Sequence, residues 1–248
     1  MKKIVFFMLL GCCVYSNQVI AETVKVGGYV FPPFLEEADS QYVGMTIDLI
    51  DEMNSFQKKY KFQFVSTSRF LNFDERKFDL IMFEDKAWGW EGRDIAASKV
   101  FLKGGEVYIT KAEFSKDQSY FDNFKNKSVA AILGYHYGFA NFNSDEKFLK
   151  DNFNIQLSSA HEGNIRKVLM GRADISVVTL SYLNRLFKLN PDIRKALLVS
   201  EKFDQRYNHT ILLRKNSKID VKEVEALLTK MKEAGVLSRI WKKYGIPE

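Results

Sequence analysis

Strand-like segments alternate with segments of helical periodicity along most of this 248-residue chain. In the first run, strands are predicted over 24–30, 62–65 and 79–83, with helices over 45–60 and 70–76 between them. The longer helix is predicted because its apolar residues recur at helical spacing, at Leu49, Ile50, Met53, Phe56 and Tyr60. A β-α-β-α-β order favours a parallel sheet with helices packed on its faces.

A second run of the same kind follows along the chain. Its strands are predicted over 128–133, 155–157 and 174–178, and its helices over 137–149, 164–170 and 181–189. The tail carries a further amphipathic helix over 221–231, after which Gly235 breaks the pattern. Two α/β halves with no flexible linker between them predict two lobes that face each other across a cleft.

The N-terminus has the three parts of a secretory signal. Met1-Lys2-Lys3 is basic, residues 4–15 are almost wholly apolar, and a polar stretch leads to the small residue Ala21. We therefore expect residues 1–21 to be a signal peptide that is cleaved after Ala21 on export to the periplasm. An alternative is a lipid anchor, because Leu9-Leu10-Gly11-Cys12 is similar to a lipobox.

Composition excludes several classes of protein. Both cysteines, Cys12 and Cys13, lie within the predicted signal, so the exported chain would have no disulfide and no thiolate metal site. The formal net charge is +6. Lysine and arginine alternate with aspartate and glutamate along the sequence, which is typical of a solvated surface and not of a nucleic-acid-binding protein.

Five short motifs, in order, resemble the polar amino-acid-binding proteins of ABC transporters, the bacterial extracellular solute-binding proteins of family 3. The motifs are Val26-Gly27 followed by Phe31-Pro32-Pro33-Phe34, then Gly44-Met45-Thr46-Ile47-Asp48-Leu49, Lys77-Phe78-Asp79-Leu80-Ile81, Gly171-Arg172-Ala173-Asp174, and Ile240-Trp241-Lys242-Lys243-Tyr244-Gly245. Each motif is weak alone, and their order along the chain makes the resemblance specific.

The resemblance implies an α/β, two-lobed periplasmic binding protein fold of type II. In that fold each lobe is a mainly parallel sheet flanked by helices, and two hinge crossings join the lobes. Lobe 1 would comprise residues 22–110 and 208–248, and lobe 2 residues 111–207. Such a fold places its ligand beyond the carboxyl ends of the strands and closes around it by hinge motion.

Candidate ligand-binding residues in lobe 1 follow from the same resemblance. Arg93 stands where the family holds the ligand's carboxylate, a task that suits the fork of a guanidinium. A surface ion pair with Glu91 or Asp94 is the alternative reading of Arg93. The remaining lobe 1 candidates are Phe31, which occupies the family's aromatic position, Trp88 and Trp90 in an enlarged loop, and Glu84, which could receive a cationic group.

In lobe 2 the candidates are Tyr135, His136 and Thr179. Gly134-Tyr135-His136 precedes the predicted helix 137–149, whose free N–H groups would provide a second hold on a carboxylate. Thr179 stands where the family has the aspartate that accepts the ligand's amino group, which places an ordinary α-amino acid in doubt. The three histidines, His136, His161 and His209, lack metal-site spacing, and neither a metal nor a cofactor is predicted.

The function expected from these residues is capture of a small polar, carboxylate-bearing molecule by lobe closure, and its delivery to an inner-membrane ABC permease. We expect a binding protein and not an enzyme, acting as a monomer. Two alternatives stay open. The first is an exported dehydratase of the cyclohexadienyl type, which would use Glu84 or Asp85 as its acid together with Arg93. The second is a ligand-sensing partner of a sensor kinase.

Overall fold

The computed structural model describes residues 21–246. The predicted signal peptide therefore lies, except for Ala21, outside the described residues, as does Cys12 of the alternative lipid anchor. The described residues form eleven strands: β1 Glu22–Gly28, β2 Glu36–Ala38, β3 Gln41–Val43, β4 Tyr60–Ser66, β5 Leu80–Glu84, β6 Ile95–Ala97, β7 Leu102–Lys111, β8 Val129–Ile132, β9 Ile155–Ser158, β10 Ile175–Thr179 and β11 Leu197–Arg214.

Eight α-helices complete this part of the chain. They are α1 Met45–Phe56, α2 Arg69–Asp74, α3 Glu146–Asn152, α4 His161–Leu169, α5 Leu180–Leu189, α6 Pro191–Ala196, α7 Val221–Glu233 and α8 Val236–Lys243. Two single 3₁₀ turns, Gln118–Phe121 and Gly138–Ala140, flank β8. The mixed content confirms the predicted α/β class.

Nine strands join in one curled sheet with the order β4-β1-β5-β11-β7-β10-β8-β9, and β6 also pairs with β11. β1 pairs in parallel with β4 and β5, and β8 pairs in parallel with β9 and β10. We call β4, β1, β5, β6 and the C-terminal end of β11 the first half of the sheet. The second half comprises β7, β10, β8, β9 and the N-terminal end of β11.

The antiparallel pair of β7 and β11 connects the two halves. β11 is 18 residues long, so its N-terminal part pairs with β7 while its C-terminal part pairs with β5 and β6. The pairing with β7 shifts register twice between Val199 and Gln205. These two neighbouring strands correspond to the two hinge crossings that the sequence predicts.

Each half has its own apolar core. In the first half, Leu49, Ile50 and Met53 of α1 pack with α7 and α8 against β1 and β5. In the second half, α4 and α5 cover one face of the sheet, and a separate aromatic cluster around Tyr137 covers the other. Helices on the faces of parallel strands are the arrangement that the sequence pattern predicts.

Several predicted helix bounds are wrong. The first helix ends at Phe56 and not at Tyr60, because Gln57 adopts an extended backbone and its side-chain amide bonds the Met53 and Tyr60 backbone. Tyr60 instead opens β4. The predicted helix 137–149 is mostly irregular: one 3₁₀ turn ends at Asn141, which has φ of 51°, and α3 begins only at Glu146.

In the part of the chain that is described, no helix combines the length and apolar character that a transmembrane span requires.

Candidate functional site

A cavity of about 60 Å³ lies between the two halves of the sheet. Its walls come from the loop after β1, the loop after β5, the turn after β8 and the connecting strands β7 and β11. The lining residues are Tyr29, Phe31, Trp88, Glu106, Gly134, Tyr135, His136 and Gln205. The cavity therefore sits at the carboxyl ends of β1, β5 and β8, where open α/β sheets place their ligands.

Aromatic rings from both halves form the walls of the cavity. Phe31 is the central ring: its centroid lies 5.9 Å from that of Trp88 and 5.7 Å from that of Tyr135, and both contacts are edge-to-face. Trp88 also meets Tyr207 of β11 at 4.8 Å. Because Phe31 belongs to the first half and Tyr135 to the second, the two halves are in direct contact.

Glu106 of β7 provides the carboxyl group of the cavity. Its side chain is 1% exposed, and Oε1 accepts a hydrogen bond from the Thr179 hydroxyl at 3.0 Å. The other oxygen, Oε2, is buried and has no hydrogen-bond partner of good geometry within residues 21–246, although the Tyr207 hydroxyl lies beside the carboxyl. Burial raises the pKa of Glu106 to about 8, against the smaller opposing effect of the Thr179 hydrogen bond.

Thr179 links Glu106 to a buried histidine. The two residues are opposite each other in the pairing of β10 with β7, and the Thr179 hydroxyl also lies 2.9 Å from His161 Nε2. Burial lowers the pKa of His161 to about 3, which keeps the ring neutral at physiological pH. A chain of three polar side chains, His161–Thr179–Glu106, thus reaches the cavity from the second half.

His209 packs against the aromatic residues of the cavity wall. Its Nδ1 lies 2.8 Å from the Phe83 carbonyl oxygen, and its ring contacts Phe31, Trp88 and Tyr207. Burial lowers the pKa of His209 to about 3. The described residues contain no group of three or more metal-ligating side chains, and His209 acts as a neutral packing group.

The predicted lobe 1 residues divide between the cavity and the first half's own interior. Phe31 and Trp88 line the cavity. Trp90 is fully buried and packs edge-to-face on Phe73, with its indole N–H donating to Glu84 Oε2 at 2.7 Å. Neither Trp90 nor Glu84 is among the lining residues.

Arg93 also makes its contacts within the first half. Its guanidinium donates to the Gly89 carbonyl at 2.8 Å, lies 3.4 Å from the Asp74 carboxylate and stacks over the Phe70 ring at 4.2 Å. The ion-pair partner of Arg93 is Asp74, and not Glu91 or Asp94 as the alternative reading predicted. Arg93 does not line the cavity, and its predicted role as a carboxylate ligand stays a prediction.

Tyr135 and His136 line the cavity as their sequence positions predict. The helix start expected behind them is only a 3₁₀ turn, and its N–H groups are already used. Gly138 N and Phe139 N donate to the Asp204 carboxylate at 2.7 and 2.9 Å, and the Tyr108 hydroxyl donates to it at 2.7 Å. The protein's own carboxylate thus occupies the predicted anion site.

Sequence reasoning missed Glu106, Gln205, Tyr29 and Tyr207. The signal for Glu106 is its position in Gly105-Glu106-Val107-Tyr108, a single acidic residue at the start of an apolar run. A charged residue inside a buried strand is rare unless it is paired or functional. Its proximity to Thr179 depends on the antiparallel pairing of β7 with β10, which the local sequence pattern does not contain.

Solved structures of binding proteins share this fold. An ancestral arginine-binding protein bound to arginine is 20% identical, with a TM-score of 0.67 over 91% of this chain and 99% of that chain. A putative binding component of an ABC transporter from Wolinella succinogenes, complexed with lysine, is 16% identical, with a TM-score of 0.70 over 91% and 96%.

A third similar structure is the ancestral amino-acid-binding protein AncCDT-1, a precursor of cyclohexadienyl dehydratase, at 21% identity and a TM-score of 0.64 over 90% of this chain and 95% of that one. No protein-family model matches the chain, and no curated protein matches it in sequence. The described residues therefore have the fold of the periplasmic amino-acid-binding proteins, which confirms the predicted fold class.

Proposed function

We propose that this protein is a solute-binding protein that captures a small polar molecule in the cavity between its two halves. The observation that carries the proposal is the composition of the cavity, whose walls come from both halves and from the two strands that connect them. A ligand in this position contacts both halves only when they are together. It therefore binds the closed state preferentially and shifts the population towards it.

The two halves are, in this proposal, lobes that move about the β7–β11 pair. Residues 22–110 and 208–248 form lobe 1, which takes in nearly all of the connecting strand β7, and residues 111–207 form lobe 2. Support comes from the separate apolar cores of the two halves and from the register shifts in β11 between Val199 and Gln205. A strand that spans both lobes can bend where its pairing is irregular.

Delivery to an ABC permease and a periplasmic location are further parts of the proposal. The similar structures support them, since one is a putative ABC transporter component and others are amino-acid-binding proteins. A role in ligand sensing uses the same closure, and a co-purified membrane partner, permease or kinase, distinguishes the two roles.

Native mass spectrometry of the protein purified from its host tests the proposal, because a retained small molecule identifies the ligand directly. Small-angle scattering with and without that molecule should then show a smaller radius of gyration in the bound state. Binding without compaction, or no binding from a broad panel of polar metabolites, would contradict capture by closure.

The dehydratase alternative keeps one specific observation in its favour. Glu106 is a buried carboxyl whose raised pKa keeps it protonated at neutral pH, as a general acid requires. Glu106, and not Glu84 or Asp85 as expected from the sequence, is therefore the candidate acid that lines the cavity. Incubation with a carboxylated cyclohexadienol separates the two functions: an enzyme releases water and carbon dioxide and forms an aromatic product, whereas a binding protein returns the compound unchanged.

A further inference from the structure

We propose that the cavity takes a small organic cation, an ammonium or quaternary ammonium group, with the Glu106 carboxylate as its counter-ion and the rings of Phe31, Trp88 and Tyr135 as its cage. This inference rests on the proposed function and specifies the ligand class. It differs from the sequence expectation of a carboxylate-bearing ligand.

The groups expected to hold an anion have other partners. The Arg93 guanidinium contacts the Gly89 carbonyl, the Asp74 carboxylate and the Phe70 ring, all within the first half. The N–H groups of Gly138 and Phe139 donate to Asp204. An incoming carboxylate would lie against the Glu106 carboxyl instead, which could accept it only by staying protonated, because two ionised carboxylates at one site repel each other.

The position of Glu106 suits a cation. Oε2 is buried beside the Tyr207 hydroxyl, and no cationic side chain is among the groups that perturb the pKa of Glu106. An ammonium N–H would supply a charge-assisted hydrogen bond to this oxygen, and a quaternary ammonium would supply the opposite charge alone. Glu106 also faces Thr179 across the β7–β10 pair.

The aromatic walls add the second element of cation recognition. Phe31 and Trp88 of the first half and Tyr135 of the second surround the cavity. The ring centroid of Phe31 lies 5.9 Å from that of Trp88 and 5.7 Å from that of Tyr135. Ring faces attract quaternary ammonium groups, and aromatic cages bind them in other proteins. The cavity is small, at about 60 Å³, which favours a compact cationic head group.

Binding of a cation should release a proton. Glu106 is protonated at neutral pH in the free protein because its pKa is raised to about 8 by burial, and it must ionise to pair with the cation. The other titratable groups that face it include no cation: His161 behind Thr179, Tyr207 on β11, and Tyr135 and Tyr137 after β8 are neutral, and the negative charge of Asp204 on β11 raises the pKa of Glu106 further. Affinity should consequently increase about fifty-fold from pH 6 to pH 8.

Calorimetric titration with methylammonium, tetramethylammonium and choline tests the inference. We expect at least one cation to bind the wild-type protein at pH 7 with release of about 0.9 proton, measured in buffers of different ionisation enthalpy. The neutral choline isostere 3,3-dimethylbutan-1-ol should bind at least tenfold more weakly. The E106Q variant should lose at least about 30-fold in affinity and all of the pH dependence.

Matched variants control for general damage to the fold. E201Q makes the same change at an exposed position of β11 and should bind like the wild type. W88F should retain most of the affinity, whereas W88L should lose about 5- to 30-fold. If L-glutamate or a neutral amino acid binds with compaction and no cation does, the ligand class is wrong while solute capture stands. If nothing in the panel binds, both fail.

Discussion

The chemistry of the site depends on one carboxyl group in an unusual setting. Glu106 is fully buried, yet its partners are a hydroxyl from Thr179 and a nearby phenol, and no cationic side chain is among the groups that perturb its pKa. A buried carboxylate without a counter-ion is unfavourable, so the group holds its proton up to a pH of about 8. Burial without a counter-ion destabilises the ionised form of Glu106 in the free protein, and it leaves the carboxyl able to pair with a cationic ligand.

The stability of the free protein should therefore depend on pH through Glu106. The unfolded chain releases this proton near its ordinary pKa of 4.5, while the folded protein holds it until about 8. Because the folded state binds more protons in this window, the free energy of unfolding falls as pH rises from 4.5 to 8, by up to about 1.4 kcal/mol per unit. Urea unfolding of wild-type and E106Q protein at pH 5, 6, 7 and 8 measures the difference.

The expected result is that E106Q gains stability relative to the wild type as pH rises through that window, with no further change above it. E201Q, which removes an exposed carboxylate from the same strand as the cavity residue Gln205, should follow the wild type. Parallel curves for wild type and E106Q would mean that Glu106 is ionised in the folded protein at pH 5.

Arg93 gives a second test at the residue scale. Its contacts with Gly89 and Phe70 fasten the loop that carries Trp88 and Trp90. R93A should therefore lower the free energy of unfolding by about 1–2 kcal/mol, measured by urea denaturation, and R93K should recover part of that loss. Unchanged stability with a large loss of affinity for a carboxylate-bearing molecule would instead support the role predicted from sequence.

At the scale of elements, the sequence predicts segments whose pattern is local. Strands β1, β4, β5, β8, β9 and β10 were all expected within a few residues of their observed bounds. Periodicity failed where contacts distant in sequence decide the structure. The 3₁₀ turn at Gly138 replaces a predicted helix because its N–H groups bind Asp204, 66 positions along the chain.

The site residues also divide into those that local sequence patterns place and those that depend on contacts distant in sequence. Phe31, Trp88, Tyr135 and His136 line the cavity because they sit in loops and turns next to strand ends that can be located from sequence. Glu106 could not be placed there, since its position depends on which strand pairs with β10. Arg93 was assigned from the family resemblance and Trp90 from its place in the enlarged loop, and their neighbours in the structure come from α2 and β5.

The glycines of β7 allow the two connecting strands to pack closely. A Cβ at Gly104 would lie 2.9 Å from Tyr207 Cδ2 and 3.1 Å from His209 Nε2, so G104A must displace the ring that supports Trp88. We expect a loss of about 1–3 kcal/mol in the free energy of unfolding and weaker ligand binding. The matched control is G163A, on an exposed face of α4 with open space around it.

G163A should raise stability by about 0.5–1 kcal/mol, because alanine has the higher helix propensity. Thermal unfolding of the two variants beside the wild type gives both signs in one experiment. If G104A proves as stable as the wild type, Tyr207 can move freely and is not a fixed part of the cavity wall.

At the scale of the whole molecule, the two halves contact each other at several places outside the cavity as well as within it. Besides the Phe31–Tyr135 contact, Arg185 of α5 forms an ion pair with Glu36 of β2, and the Lys188 ammonium donates to the Lys242 carbonyl at 3.0 Å. These polar contacts lie at the rim and are partly exposed. In the proposed closure, we expect them to favour the closed state without touching the cavity.

R185A should therefore shift the free protein towards the open state. A partly exposed ion pair is worth about 0–1 kcal/mol, so we expect up to about fivefold weaker ligand affinity and a slightly larger radius of gyration in small-angle scattering. R166A, which removes a fully local pair with Glu162 on α4, is the control. A lower affinity without expansion would show that Arg185 acts on the ligand and not on closure.

The long strand β11 has a consequence for how the chain becomes folded. Leu102 and His209 are paired neighbours, so the chain leaves the first half and returns to it at one place, and the residues between them form an insertion. The strand of the first half that lies between β5 and β6 is completed only by Thr210 to Arg214. During synthesis the N-terminal residues must therefore wait for nearly the entire polypeptide before their sheet can close. If the protein is exported as we propose, late completion of this sheet would keep the chain suited to threading through a narrow translocation channel.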